Sequence, residues 1–351
     1  MMNSKIRVLV IDDSPFVRAR LSVGLNKDPH IEVVGTASDP YSARDKIVLL
    51  KPDVLTLDVS MPRMDGVEFL KKLMPQYPVP TIMVSAFTEK GAGVTLEALE
   101  AGAVDFVAKP RSGNNGRLDD MFIELRAKII IASTVNVKHF KHRVNNNIPY
   151  PESIVGPLIS TRNIIAMGAS TGGTEAIKEV LMHLPPQSPG VVVVQHMPEK
   201  FTETFARRLN DQCHLTVAEA RSGDRIEPNN VLIAPGNRHM EVFLVGRDYK
   251  IRLKSGDKVS GHRPSVDVLM RSVARCAGHH GRGILLTGMG ADGAEGMREM
   301  KQAGAKTFAQ NKASCVVFGM PKKAWEIGGV DHMLPLDRIA GEVIRSLLSA
   351  T

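Results

Sequence analysis

Residues 6–13 read IRVLVIDD, an apolar run rich in β-branched side chains that stops abruptly at Asp12 and Asp13. Three further runs have the same form: DVLTLD at 53–58, TIMVS at 81–85 and VDFVAKP at 104–110. Each is too short for a buried helix, each is flanked by turn residues, and helix-like stretches lie between them. They therefore predict parallel strands of one sheet built from repeated βα units. Ligands of such sheets bind beyond the carboxyl ends of the strands. Asp12, Asp13 and Asp58 would gather there, and three carboxylates repel one another unless a hard cation sits among them. Oxygen ligands completed by a few waters are what Mg²⁺ prefers. Lys109, ending the last run, would neutralise a phosphoryl group. Asp58 is the candidate nucleophile, because its own strand delivers it between the aspartate pair and the lysine, and aspartyl phosphate is a known covalent outcome of such a carboxylate.

The pattern, with Ser85 closing TIMVS, Phe106 three residues before Lys109, and LDVSMPRMDG around Asp58, resembles the receiver domain of two-component response regulators over about residues 1 to 125. The resemblance implies a flavodoxin-like fold. It also implies Mg²⁺ held at Asp12, Asp13 and Asp58, phosphorylation of Asp58 by a histidine kinase, and Ser85, Phe106 and Lys109 as the switch that reports the phosphoryl group to a partner surface.

A chain of 351 residues has room for two ordinary domains. Its 43% hydrophobic and 23% charged residues are those of a soluble globular protein. No apolar run reaches the roughly 18 residues a membrane span requires, so no direct membrane insertion is expected. The opening MMNSKIRVLV leads straight into a strand without signal-peptide architecture, and a cytoplasmic protein is the expectation. Cys213, Cys276 and Cys315 are widely spaced and lack metal-finger spacing, which suggests ordinary reduced thiols. Cys213 and His214 are sequence neighbours, which on a helix or strand do not generally face each other. His279 and His280 read as a surface turn. The net charge of +8 is concentrated beyond the first third of the chain. That bias can speed encounter with an acidic partner, or simply solvate the surface.

The stretch LDDMFIELRAKIIIAS (118–133) has helical spacing and closes the first domain, expected over residues 1–133. Residues 134–160 change character, with three consecutive asparagines, several prolines and a basic cluster from Lys138 to Arg143, and suit a linker. From 161 to 351, the strand-like NIIAMG, GVVVVQ, NVLIAP and RGILLTG alternate with helix-like EAIKEVLMHL and VDVLMRSVARCA. This predicts a second α/β domain with a doubly wound, mainly parallel sheet. MEVFLVGRDYKIRLK, with Gly246 to Asp248 at its centre, predicts an added antiparallel hairpin.

NIIAMG runs into Gly168-Ala169-Ser170-Thr171-Gly172-Gly173 and then a helix, placing a serine at a tight strand-to-helix turn whose helix terminus can stabilise an oxyanion. GVVVVQ delivers Gln195 and His196 to the same sheet edge, and RGILLTGMGADG delivers Asp292. A hydroxyl, an imidazole and a carboxylate at one edge are the parts of a nucleophilic triad, with backbone N–H groups near Thr171 and Met289 as oxyanion donors. The order Ser, His, Asp departs from the Ser, Asp, His order of α/β-hydrolases and implies a different fold. A dinucleotide-binding loop competes, but Ser170 stands where a middle glycine is needed, and Gln-His where an acidic ribose ligand is expected. The plainest alternative is an N-cap serine with unconnected His and Asp residues.

A receiver and a linker followed in order by GASTGG, QHMP, HRPSVD, TGMGADG and FGMP resemble the CheB family of chemotaxis protein-glutamate methylesterases along nearly the whole chain. The resemblance implies that Ser170, His196 and Asp292 hydrolyse γ-glutamyl methyl esters on the cytoplasmic helices of methylated chemoreceptors, without a cofactor for the ester step, and that receptor glutamines are deamidated. A chemotaxis histidine kinase would be the phosphodonor. Ser60, Asn311 and Lys312 depart from the family pattern with loss of acidic charge. A receiver-controlled DNA-binding regulator and a catalytically silent receptor adaptor are the rival functions; no recognition helix supports nucleic-acid binding.

Overall fold

The computed structural model describes residues 5–86, 89–109, 115–135, 137 and 162–348. The chain divides into two compact units, Met1–Asn145 and Asn146–Thr351. Apart from Thr134, Val135 and Val137, the expected linker 134–160 lies outside the described residues.

The first unit alternates strands β1 (Ile6–Ile11), β2 (Ile31–Ala37), β3 (Val54–Asp58), β4 (Thr81–Ala86) and β5 (Asp105–Lys109) with helices α1 (Pro15–Leu25), α2 (Pro40–Leu50), α3 (Gly66–Gln76), α4 (Glu89–Glu100) and α5 (Asn115–Ala132). The strands form one parallel sheet, as the sequence predicted, in the order β2-β1-β3-β4-β5, the flavodoxin-like order that the receiver resemblance implied. Val8, Leu9, Val10, Val54, Leu55, Leu57, Ile82 and Met83 are buried on both faces of the sheet, which is why these strands read as continuous apolar runs. Helix starts are written locally: Ser14 caps α1 ahead of Pro15, and the Asp39 carboxylate accepts from Tyr41 and Ser42 N–H to cap α2.

The second unit contains β6 (Ile164–Ala169), β7 (Gly190–Gln195), β8 (Thr216–Glu219), β9 (Asn230–Ile233), the pair β10 (His239–Val245) and β11 (Asp248–Lys254), then β12 (Gly281–Leu285), β13 (Lys306–Gln310) and β14 (His332–Leu334). Its helices are α6 (Gly173–Met182), α7 (Phe201–Gln212), α8 (Val266–Ala277), α9 (Ala294–Gln302), α10 (Met320–Glu326) and α11 (Leu336–Leu348). Seven strands form a sheet in the order β14-β13-β12-β6-β7-β9-β8, and every pairing in it is parallel. β10 and β11 make the expected antiparallel hairpin as a separate two-stranded sheet against α8. The chain starts at the centre of the large sheet: β6 has β7 on one side and β12 on the other. Successive crossovers leave in opposite directions from it, and the carboxyl ends of these three strands open a crevice at the switch point. Ser170, His196 and Asp292 all follow those strands.

Candidate functional site

In the first unit, Asp12 and Asp58 are buried at the ends of β1 and β3, and Asp13 beside them is exposed. One oxygen from each of the three carboxylates lies within 4.8 Å of the others. Lys109 Nζ bridges Asp12 Oδ2 at 2.8 Å and Asp58 Oδ1 at 2.7 Å. Burial drives the Asp58 carboxyl above its usual range, and Lys109 only partly opposes this, because Asp12 and Asp13 push the same way. Burial would lower the Lys109 ammonium, but Asp58 and Asp12 outweigh it and the net direction is upward. Even with the Lys109 ammonium on two of the carboxylates and the Arg18 guanidinium on the Asp12 and Asp13 carbonyls at 2.7 and 3.0 Å, three carboxylates leave the cluster net negative, and an all-oxygen donor set of that kind fits a hard divalent cation. Ser85 is buried and its hydroxyl lies 2.7 Å from Thr95 Oγ1, whose partners also include the Gly91 carbonyl. Phe106 points inward, 4% exposed, with the Lys128 ammonium 5.3 Å from its ring centre.

In the second unit, β6 and β7 pair in register with Ala169 opposite Gln195, so the next residue of each strand, Ser170 and His196, emerges side by side. The His196 N–H donates to Ala169 O at 3.1 Å, and the Ser170 N–H donates to Thr287 O at 3.0 Å, one residue beyond Leu286 after β12. Two glycines make the turn possible. Gly172 has φ of +74°, and a Cβ on Gly173 would lie 2.2 Å from Gln195 Oε1 and 2.6 Å from Ala169 Cβ. Gly288 approaches Ser170 so closely that a Cβ there would stand 2.7 Å from Ser170 Cβ, which brings the Met289 backbone beside the serine.

His196 Nε2 lies 2.8 Å from Asp292 Oδ2, with 7% and 1% of the two side chains exposed. The Asp292 carboxylate also accepts from Ser265 Oγ at 2.7 Å, Val266 N at 2.7 Å and Asp267 N at 3.1 Å. Ser265 is the N-cap of α8, so the acid sits on the positive end of that helix. Burial works to raise its pKa, but the bonds from His196, Ser265 and Val266 together bring it below the ordinary carboxylate value. An ionised Asp292 can only accept, which puts the imidazole proton on Nε2 and leaves the lone pair on Nδ1. Nδ1 is buried and has no hydrogen-bond partner, so Ser170 Oγ is not bonded to it in this structure. Catalytic hydrogen bonds that tighten only with substrate are common.

Sequence reasoning assigned no role to the residues that hold this arrangement, although it placed Gln195 at the sheet edge. Gln195 Nε2 donates to the carbonyls of both Ser170 (2.9 Å) and His196 (3.2 Å), tying the two loops together. Thr287 Oγ1 donates towards Thr171 O at 3.0 Å and accepts from Val317 N at 2.9 Å. Gln310 Oε1 accepts from Thr287 N at 2.8 Å. Both glutamines close buried strands, and an amide at that place is the signal that could have found them. Asn311 Oδ1 accepts from Ser314 N and Oγ at 3.1 and 2.9 Å, so this departure from the family pattern serves a local turn that an aspartate oxygen could serve equally. Ser60 and Lys312 are exposed. Burial pushes the Cys213 thiol up to about 11 and the Cys315 thiol up to about 12, which removes both as thiolate nucleophiles near neutral pH. His279 and His280 form, with Gly278, a short 3₁₀ turn before β12. Among the described residues no helix is long and apolar enough to cross a membrane.

Residues 165–343 match the model of the CheB methylesterase family, and residues 8–118 match that of the response regulator receiver domain. A protein of Syntrophotalea carbinolica named protein-glutamate methylesterase/protein-glutamine glutaminase is 56% identical, with 98% of each chain covered. A protein of Pseudomonas aeruginosa with the same name, numbered 2, is 51% identical over 97% of this chain and 96% of its own. The catalytic domain of Thermotoga maritima CheB methylesterase superposes with a TM-score of 0.51 and 36% identity, covering 54% of this chain and 98% of that one. The second unit thus matches an esterase domain, not a DNA-binding module, and the full-length identity extends the match across both units. The chain belongs to the CheB methylesterase family, with a response regulator receiver domain preceding the catalytic domain.

Proposed function

We propose that the chain hydrolyses glutamate γ-methyl esters on chemoreceptors, and deamidates selected glutamines, by serine catalysis at Ser170, His196 and Asp292 under control of phosphorylation at Asp58. The observation that carries the reading is the 2.8 Å bond between His196 Nε2 and the helix-capped Asp292, on strands that bring Ser170 next to His196. With Nε2 committed to Asp292, Nδ1 is the nitrogen that takes the Ser170 proton. Ser170 Oγ attacks the ester carbonyl carbon, and the oxyanion forms against backbone N–H groups of Thr171 and Met289; one such donor is worth about 3 to 4 kcal/mol in the transition state. The C–OCH₃ bond breaks, Nδ1–H protonates the leaving oxygen and methanol departs. Water then attacks the acyl-serine, giving its proton to Nδ1. The serine leaves with that proton, and the glutamate carboxylate is released. With a glutamine substrate the departing group is ammonia. No cofactor enters these steps.

In the receiver, Asp12, Asp13 and Asp58 would hold Mg²⁺, which when bound shields the charge of the incoming phosphoryl group. Lys109 would pair with that group once it is on Asp58. The Ser85 hydroxyl, engaged with Thr95, would turn to a phosphoryl oxygen, and Phe106 packs on the neighbouring strand, where such a shift is felt. The phosphodonor is a chemotaxis histidine kinase, and a cytoplasmic location suits both partners. Methanol release from a methylated receptor fragment, with and without a small phosphodonor, tests both halves. Ser170→Ala should abolish release while Asp58 still takes phosphate; release near the wild-type rate would overturn the reading.

A further inference from the structure

His262 lies flat against His196. The two ring centres are 3.7 Å apart and their planes differ by 7°. His262 belongs to the segment 259–267, which also supplies Ser265, Val266 N–H and Asp267 N–H to Asp292. That segment is built to hold its place. Val259 and His262 exchange both backbone hydrogen bonds, at 3.1 and 2.9 Å. Between them Ser260 and Gly261 have φ of +52° and +82°, the paired left-handed conformation of a tight hairpin turn. Ser260 Oγ reaches Asp267 Oδ2 at 3.3 Å, and Arg263 Nη2 donates to Asn237 Oδ1 at 2.6 Å.

The His196 ring needs a second restraint. Its backbone is fixed by Ala169 and its Nε2 corner by Asp292, but the outer torsion of a histidine is broad and one hydrogen bond at one corner does not set the ring plane. Rotation of that plane would change the direction of the Nδ1 lone pair while keeping the Asp292 bond. A flat ring stacked on one face opposes that rotation. We infer that His262 is a positioning residue for ester hydrolysis: its ring fixes the plane of His196, and with it the direction of the Nδ1 lone pair that is to take the Ser170 proton. The same short segment then holds the base twice, by its edge through Asp292 and by its face through His262.

This inference rests on the triad reading of the site. In the full-length chain with a methylated receptor fragment, His262→Ala should lower kcat about 10- to 100-fold, the scale expected when a reacting atom is misplaced by about 1 Å. KM should stay within about two-fold, because the ring is not assigned to substrate binding. His262→Phe, which restores a flat face without a titrating nitrogen, should recover most of kcat. The NMR signal of the His196 Nε2 proton reads the ring directly, whatever the nucleophile. It should broaden in His262→Ala and sharpen again in His262→Phe. Unchanged kcat or an unchanged proton signal in His262→Ala would overturn the inference, as would a Phe variant as slow as Ala with the same thermal midpoint. Methanol release by Ser170→Ala separates the two ideas. At the wild-type rate it removes the triad and this inference with it, whereas its loss beside an indifferent His262→Ala removes the inference alone.

Discussion

At Asp292 four donors converge on one buried carboxylate, and the energetics follow from their number. Ser265→Ala removes both the cap of α8 and a hydrogen bond to a charged group. Each is worth about 1 to 3 kcal/mol, so chemical denaturation should show a loss of that order together with reduced kcat. Asp292→Asn keeps the shape but cannot hold the imidazole proton on Nε2 in the same way, and kcat should fall on the order of 10³- to 10⁴-fold. The pH dependence has a definite sign. The folded pKa of Asp292 is depressed, so its contribution to stability is complete above the unfolded carboxylate pKa of about 4 and is lost as pH falls through the lower folded value. The stability gap between wild type and Asp292→Asn should therefore narrow in acid below about pH 4, followed by urea titration at each pH. The strand-end aspartate was legible in the sequence, because an acid in a glycine-rich turn after a buried run is conspicuous. Its cap was not, because Ser265 is 27 positions away and reads there as the start of a helix.

Among the elements, β6, β7 and β12 and the turns that follow them carry the proposed triad. The turn after β6 works only if Gly173 has no side chain. The nearest obstacle to a Cβ, Gln195 Oε1 at 2.2 Å, could move, but Ala169 Cβ at 2.6 Å belongs to β6 and cannot yield without disturbing the sheet. Gly173→Ala should cost about 1 to 3 kcal/mol by overpacking. It should also depress kcat, because moving Gln195 releases its bonds to the Ser170 and His196 carbonyls. Thermal unfolding and methanol release on one preparation check both effects. The strands β6, β7 and β12 were readable from their apolar runs, whereas β8, β13 and β14 were not singled out. That the large sheet is parallel throughout, with the hairpin β10–β11 outside it, depends on which partners each strand finds, and no local pattern states this.

For the whole molecule, two units with separate cores divide the labour between phosphate and ester chemistry. Asp58→Asn should leave basal methanol release in place and abolish its response to a small phosphodonor, read as the ratio of rates with and without that donor. Mg²⁺ should raise the unfolding free energy of the receiver by binding the folded form, by about 2.7 kcal/mol at a hundred times its dissociation constant, seen as a higher unfolding midpoint, and Asp12→Asn should remove that increment. The sequence by itself determined the two α/β units and most of the strands that carry site residues, since burial writes apolar runs and residues such as Asp12, Asp58, Lys109, Ser170 and His196 break them; β2, β8, β13 and β14 were not read from it. Only the tertiary structure decided that Nε2, and not Nδ1, faces Asp292, that α8 holds the acid, that Gln195 ties serine to histidine, and that His262 covers the imidazole. Those are matters of distance and direction between segments far apart in the chain, set by packing across the sheet edge, and residue identity at each position is compatible with many such arrangements.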